Sequence, residues 1–144
     1  MNDRYIKRIA RGILFTYLLI LIYWMFLGFS RSQSEFYSYN LVPFSTLKNY
    51  FFYFSHYPFM IWAINIIGNV AVFAPFGLLI PIAYKKFMHL GSFLTLFILG
   101  ITTLELLQFV TRMGSLDVDD IILNTVGALI GFIVIKVFLR FRAY

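Results

Sequence analysis

Residues Ile121 to Leu139 read IILNTVGALIGFIVIKVFL, and the reading of this run decides the fold. Its one charge, Lys136, lies near its end. The run is close to the ~20 apolar residues that a helix needs to cross a ~30 Å hydrocarbon core. Working outward, comparable runs extend over about Gly12 to Phe29, Ile61 to Ala83 and Gly91 to Val110. The composition agrees with them: 61% hydrophobic, 21% aromatic and 12% charged residues, with a mean hydropathy of +0.84, far from soluble globular usage. A chain of 144 residues has no room for a large domain outside the bilayer.

The joins at Tyr84 to Leu90 and Thr111 to Asp120 are short, so the second to fourth helices are antiparallel neighbours. The expected fold is an all-α membrane protein over 1–144: one domain, a four-transmembrane-helix antiparallel bundle. The long connection, 31–60, forms an interfacial aromatic segment between helices 1 and 2. It holds Tyr50, Phe51, Phe52, Tyr53, Phe54, Tyr57 and Phe59, rings suited to the headgroup boundary. A short helix from about Ser45 to Phe54 follows Pro43, with Ser45 as its cap.

The net charge of +6 is topological, because the basic residues flank apolar runs. This distribution argues against a nucleic-acid partner. A cytoplasmic N-terminus places Arg4, Lys7, Arg8, Arg11, Lys85, Lys86, Lys136, Arg140 and Arg142 inside, against Arg31, Lys48 and Arg112 outside. Both termini are then expected in the cytoplasm. The run after Arg11 is too long for a typical signal-peptide core and no small-residue cleavage site follows it, so a retained first helix is expected. Without cysteine, disulfides and thiolate chemistry are excluded.

The same orientation sends Glu35, Glu105, Asp117, Asp119 and Asp120 to the outer half. On the third helix, Glu105, Gln108 and Arg112 have i, i+3, i+7 spacing and share a face. Asp117, Asp120 and Asn124 repeat that spacing on the fourth, whereas Asp119 points elsewhere. Asn65 and Asn69 lie one turn apart on the second. Three helices thus carry polar faces at matching depth. A central intramembrane charge costs roughly 2.5 to 3.5 kcal/mol on insertion scales, so Glu105 is expected to be protonated, paired or facing water.

Structural readings stand beside the functional ones. Asp117 suits an N-cap with Asp120 at N3, and Asn65 and Asn69 suit interhelical hydrogen bonding. Pro75 predicts a kink by crowding the carbonyl of Ala71. Gly127 and Gly131 permit close helix contact, either within the bundle or between copies in an oligomer. His56 and His89 are isolated in connections, and no protease, hydrolase or nucleotide-binding motif is present.

Taken in order, Asn40-Leu41-Val42-Pro43-Phe44, Gly68-Asn69 through Pro75-Phe76-Gly77, Glu105-Leu106-Leu107-Gln108-Phe109, Asp117-Val118-Asp119-Asp120, and Asn124-Thr125-Val126-Gly127 with Gly131 resemble the VanZ-like family. The resemblance implies a multi-pass protein of the bacterial cytoplasmic membrane, of a type associated with low-level resistance to the glycopeptide teicoplanin. It covers Asn40, Pro43, Asn69, Pro75, Gly77, Glu105, Gln108, Asp117, Asp120, Asn124 and Gly127.

Three readings remain open. One is a binder of an envelope lipid, peptidoglycan precursor or lipoglycopeptide at the outer leaflet, through Asn40, Asn65, Asn69, Glu105, Gln108, Arg112, Asp117, Asp120 and Asn124. Another is an intramembrane enzyme on an envelope lipid, with Glu105, Asp117 and Asp120 acting as acid and base or holding a divalent cation while Arg112 orients a phosphate. The third is a structural partner subunit.

Overall fold

A computed structural model describes residues 3–28, 32–56 and 58–141. The expected end of the first helix at Phe29, together with Arg31, Tyr57 and Arg142, lies outside the described residues. Four helical spans are long and apolar enough to cross a membrane: Asp3–Phe26, Phe59–Ala83, Leu90–Thr111 and Val118–Phe141. The protein is therefore a multi-pass helical membrane protein. In chain order the elements are α1 (Asp3–Phe26), β1 (Tyr39–Asn40), α2 (Ser45–Phe52), α3 (Phe59–Ala63), α4 (Asn69–Ala83), α5 (Leu90–Thr111), β2 (Leu116–Asp117) and α6 (Val118–Phe141). Helix α1 begins well before the expected Gly12, because its basic first turns continue the helix, with Lys7 bonded to Asp3 at 3.0 Å.

Helices α3 and α4 form one span joined by a π turn at Ile64–Gly68. Its cause is in the side chains. Asn65 Nδ2 donates to Ile61 O at 2.7 Å and Asn69 Nδ2 to Asn65 O at 2.9 Å, so side-chain amides compete for carbonyls of the backbone ladder. The irregular turn lies upstream of Pro75, and α4 is helical through both Pro75 and Pro81.

The helix α4 to α6 seam is built from backbone. A Cβ on Gly127 would strike the carbonyl oxygen of Val70, one on Gly131 that of Ala74, and one on Gly77 that of Ala128. Small residues of this kind let helices approach where lipid supplies no hydrophobic drive between them. The Gly127 and Gly131 pair is therefore used within the bundle. Around the seam, Phe73, Phe76, Phe93, Phe97 and Phe132 form the buried core, with the Phe93 and Phe132 rings stacked at 4.8 Å. Helix α1 leans on α4, where the Tyr17 hydroxyl donates to Val72 O at 2.9 Å.

Candidate functional site: a carboxylate clamp at one end of the bundle

The segment between α1 and α3 is fastened to the α5 to α6 connection. Strands β1 and β2 pair in parallel, Tyr39 with Leu116 and Asn40 with Asp117. Ser34 N–H donates to Arg112 O at 2.9 Å and Leu116 N–H to Ser38 O at 3.1 Å. The ring of Phe109 lies 5.1 Å from that of Tyr37 and 6.2 Å from that of Tyr39.

Asp117 is the N-cap of α6, its Oδ1 accepting the Asp119 N–H at 2.8 Å. The same oxygen accepts Asn40 Nδ2 at 3.0 Å, while Oδ2 accepts the Thr46 hydroxyl at 2.7 Å. Asn40 in turn accepts Val42 N–H at 3.1 Å and the Ser45 hydroxyl at 2.9 Å. Ser45 is thus not the cap of α2, because its hydroxyl is committed to Asn40. The cap oxygens arrive from another helix. Asp119, 0% exposed, accepts Phe44 N–H at 2.5 Å through Oδ1 and Leu47 N–H at 3.1 Å through Oδ2. The first turn of α2 is satisfied by a carboxylate 75 residues downstream, the charge that its dipole favours.

The chain reaches this position through a tight turn. Ser45 N–H donates to Val42 O at 3.3 Å, Pro43 occupies the second position, and Phe44 takes φ 65 and ψ 6. That is a type II turn, with proline where its fixed φ fits and a left-handed residue after it. Glycine usually fills the latter place, and a side chain there costs roughly 1–2 kcal/mol. The Asp119 bonds offset that strain.

The remaining candidates are distributed around this clamp. Asn69 Nδ2 donates to Asp120 Oδ1 at 2.9 Å, joining α4 to the first turn of α6. Gln108 Nε2 donates to Met25 O at 2.8 Å, supplying a donor to the last turn of α1, whose carbonyls lack helical partners. Glu105 is buried one turn away from Gln108, at 3% exposure. Asn65 bonds within its own helix, as described. Asn124 is 2% exposed, and its Oδ1 has no hydrogen-bond partner among the described residues.

Arg112 departs from the face expected for it. Helix α5 ends at Thr111, and Arg112 at φ 57 forms its left-handed terminus, with Met113 N–H donating to Gln108 O at 3.0 Å. Its side chain turns to the loop, donating to Glu35 O at 3.3 Å and lying 5.7 Å from the Tyr37 ring centre. The structure therefore brings together Asn40 with Asp117 and Asn69 with Asp120, and sends Gln108 and Arg112 to other partners. Among the described residues, no three His, Asp or Glu side chains are grouped to hold a metal ion.

Asp119 is the residue that helical spacing passed over. Its place off the shared face of Asp117 and Asp120 is real, but that direction holds α2. The available signal was the Val42-Pro43-Phe44-Ser45 turn, which leaves a helix start without a capping side chain.

Fold and site define a small multi-pass helical membrane protein in which buried carboxylates hold an aromatic segment across one end. The chain belongs to the VanZ/LLP1 family, whose model matches residues 14–139, a stretch that contains the whole clamp. It is similar to Protein VanZ of Enterococcus faecium, at 31% identity over 130 residues that cover 87% of this chain and 72% of that protein. No solved structure matches the chain.

Proposed function

We propose that this is an envelope protein of the bacterial cytoplasmic membrane that contributes to teicoplanin resistance. In this reading the clamp end faces outward and binds an acylated ligand, either a lipid-linked envelope precursor or the lipoglycopeptide itself. The observation that carries it is the use made of Asp117 and Asp119. All four of their side-chain oxygens accept hydrogen bonds from the protein, and four of those five bonds fix residues 40–47. What they fix carries an apolar ledge: Phe44, Phe51 and Phe52 are exposed, Phe52 by 81%, and Phe59 is exposed at the start of α3.

Rings displayed at a headgroup boundary suit a ligand with an acyl tail and a polar head. An enzyme would need carboxylate oxygens open to a substrate, and these two side chains are engaged in positioning. The excess of Lys and Arg at the opposite end supports the orientation.

The test is to replace Phe51, Phe52 and Phe59 by Ser, singly and together, and compare susceptibility to teicoplanin with susceptibility to a glycopeptide that lacks an acyl chain. The expected outcome is loss of protection against teicoplanin alone, at equal membrane abundance. Unchanged teicoplanin susceptibility in the triple variant would sink the proposal.

A further inference from the structure

At the other end of the molecule, an apolar groove of about 730 Å³ opens between α1, α4 and α5. Its floor is buried core, Phe76, Ile80 and Phe97, and its open side runs past Leu99 and Gly100. Along α4 it extends from Phe73 to Tyr84. At 1.5 Å per residue that is roughly 16 Å, half of a ~30 Å hydrocarbon core and so the depth of one leaflet.

The groove ends in cations. Tyr84, Lys86 and Phe87 line its mouth. Arg11 lies 4.9 Å from the centre of the Tyr84 ring, Tyr84 is 6.3 Å from Phe87, and Lys86 Nζ is 4.8 Å from the Phe87 ring. The neighbouring Lys7 and Lys85 share the single carboxylate of Asp3, at 3.0 and 3.1 Å. Among the described residues, neither Arg11 nor Lys86 pairs with a carboxylate. Two uncompensated cations over rings, at the head of a groove one leaflet deep, match the phosphate and one chain of a lipid.

We infer that this groove is a binding site for an anionic phospholipid of the bilayer, with its phosphate between Arg11 and Lys86 and one acyl chain along α4. The site is remote from the clamp and does not depend on the function proposed for it. It gives the basic end of the bundle a specific lipid partner, distinct from the diffuse attraction of basic residues to an anionic surface.

The experiment uses the full chain in detergent, equilibrated with equal amounts of phosphatidylglycerol and phosphatidylcholine, with retained lipid counted by native mass spectrometry. One phosphatidylglycerol per chain is expected, in clear preference to phosphatidylcholine. Lys86→Gln should lower that preference about fivefold, as expected for one charge near the phosphate. Gly100→Phe should prevent retention of either lipid, since a Cβ at Gly100 meets nothing within 4 Å and a ring there fills the groove without touching a helix seam. Gly100→Leu serves as a smaller plug, and the thermal transition of each variant reports its folding. Equal retention of the two lipids, or an unchanged preference in Lys86→Gln, overturns the headgroup assignment. Undiminished retention in folded Gly100→Phe overturns the site.

Discussion

Asp119→Asn is the most informative single change to the clamp. Asp119 Oδ1 and Oδ2 accept the Phe44 and Leu47 N–H groups at 2.5 and 3.1 Å, in a site with 0% exposure. An amide offers one acceptor and one donor, so whichever way it turns, one backbone N–H faces another N–H. A hydrogen bond to a charged group contributes about 1.5–3 kcal/mol, and the remaining bond also loses its charge. The attachment of α2 to the bundle should weaken by about 3 kcal/mol, on the order of a hundredfold in the population of the undocked segment. Amide hydrogen exchange in lipid nanodiscs measures this directly. Exchange at residues 44–47 should accelerate about a hundredfold, while the α4 to α6 seam keeps its protection. Unchanged exchange at 44–47 would refute the capping role. Equal acceleration along the seam would show that Asp119 supports the whole bundle and not the segment.

Gly77→Ala, Gly127→Ala and Gly131→Ala each place a methyl against a facing backbone carbonyl, and each should cost about 3 kcal/mol or more in thermal unfolding. Gly91→Ala, with nothing within 4 Å of its new methyl, should be neutral or add about 0.5–1 kcal/mol. Asn69→Ala should cost roughly 1 kcal/mol, and a double-mutant cycle with Asp120→Ala should return a coupling near 0.6–1.7 kcal/mol; zero coupling would remove the interhelical bond from the account. Gln108→Leu should fray the last turn of α1, seen as faster exchange near residues 23–28 and a loss of about 1 kcal/mol.

The spans were legible because burial in lipid imposes a length and a hydropathy that no other environment demands. Their ends were not, since charged turns such as Asp3 to Lys7 lie in the interface and leave no apolar signal. Asp117 as the N-cap of α6 was legible from residue type and local spacing. Asp119 was not, because its role is set by an element brought beside it by the β1 and β2 pairing, and the period of its own helix carries no trace of that. Arg112 was misplaced for a related reason. Extending the i, i+7 face assumed that α5 continues, and a non-glycine residue ending a helix in the left-handed region is a poor signal in sequence.

The in-trans cap also orders events during synthesis. The acceptor for Phe44 lies 75 residues later in the chain, so the aromatic segment leaves the ribosome well before the group that fastens it exists. At roughly 5–20 residues per second, that interval is about 4–15 s. Until α6 has entered the membrane, the segment lacks the carboxylates that fix residues 40–47. Completion of the last helix is what converts an unfastened ribbon into a fixed ledge, so the binding surface proposed here is assembled last, although its residues are among the first translated.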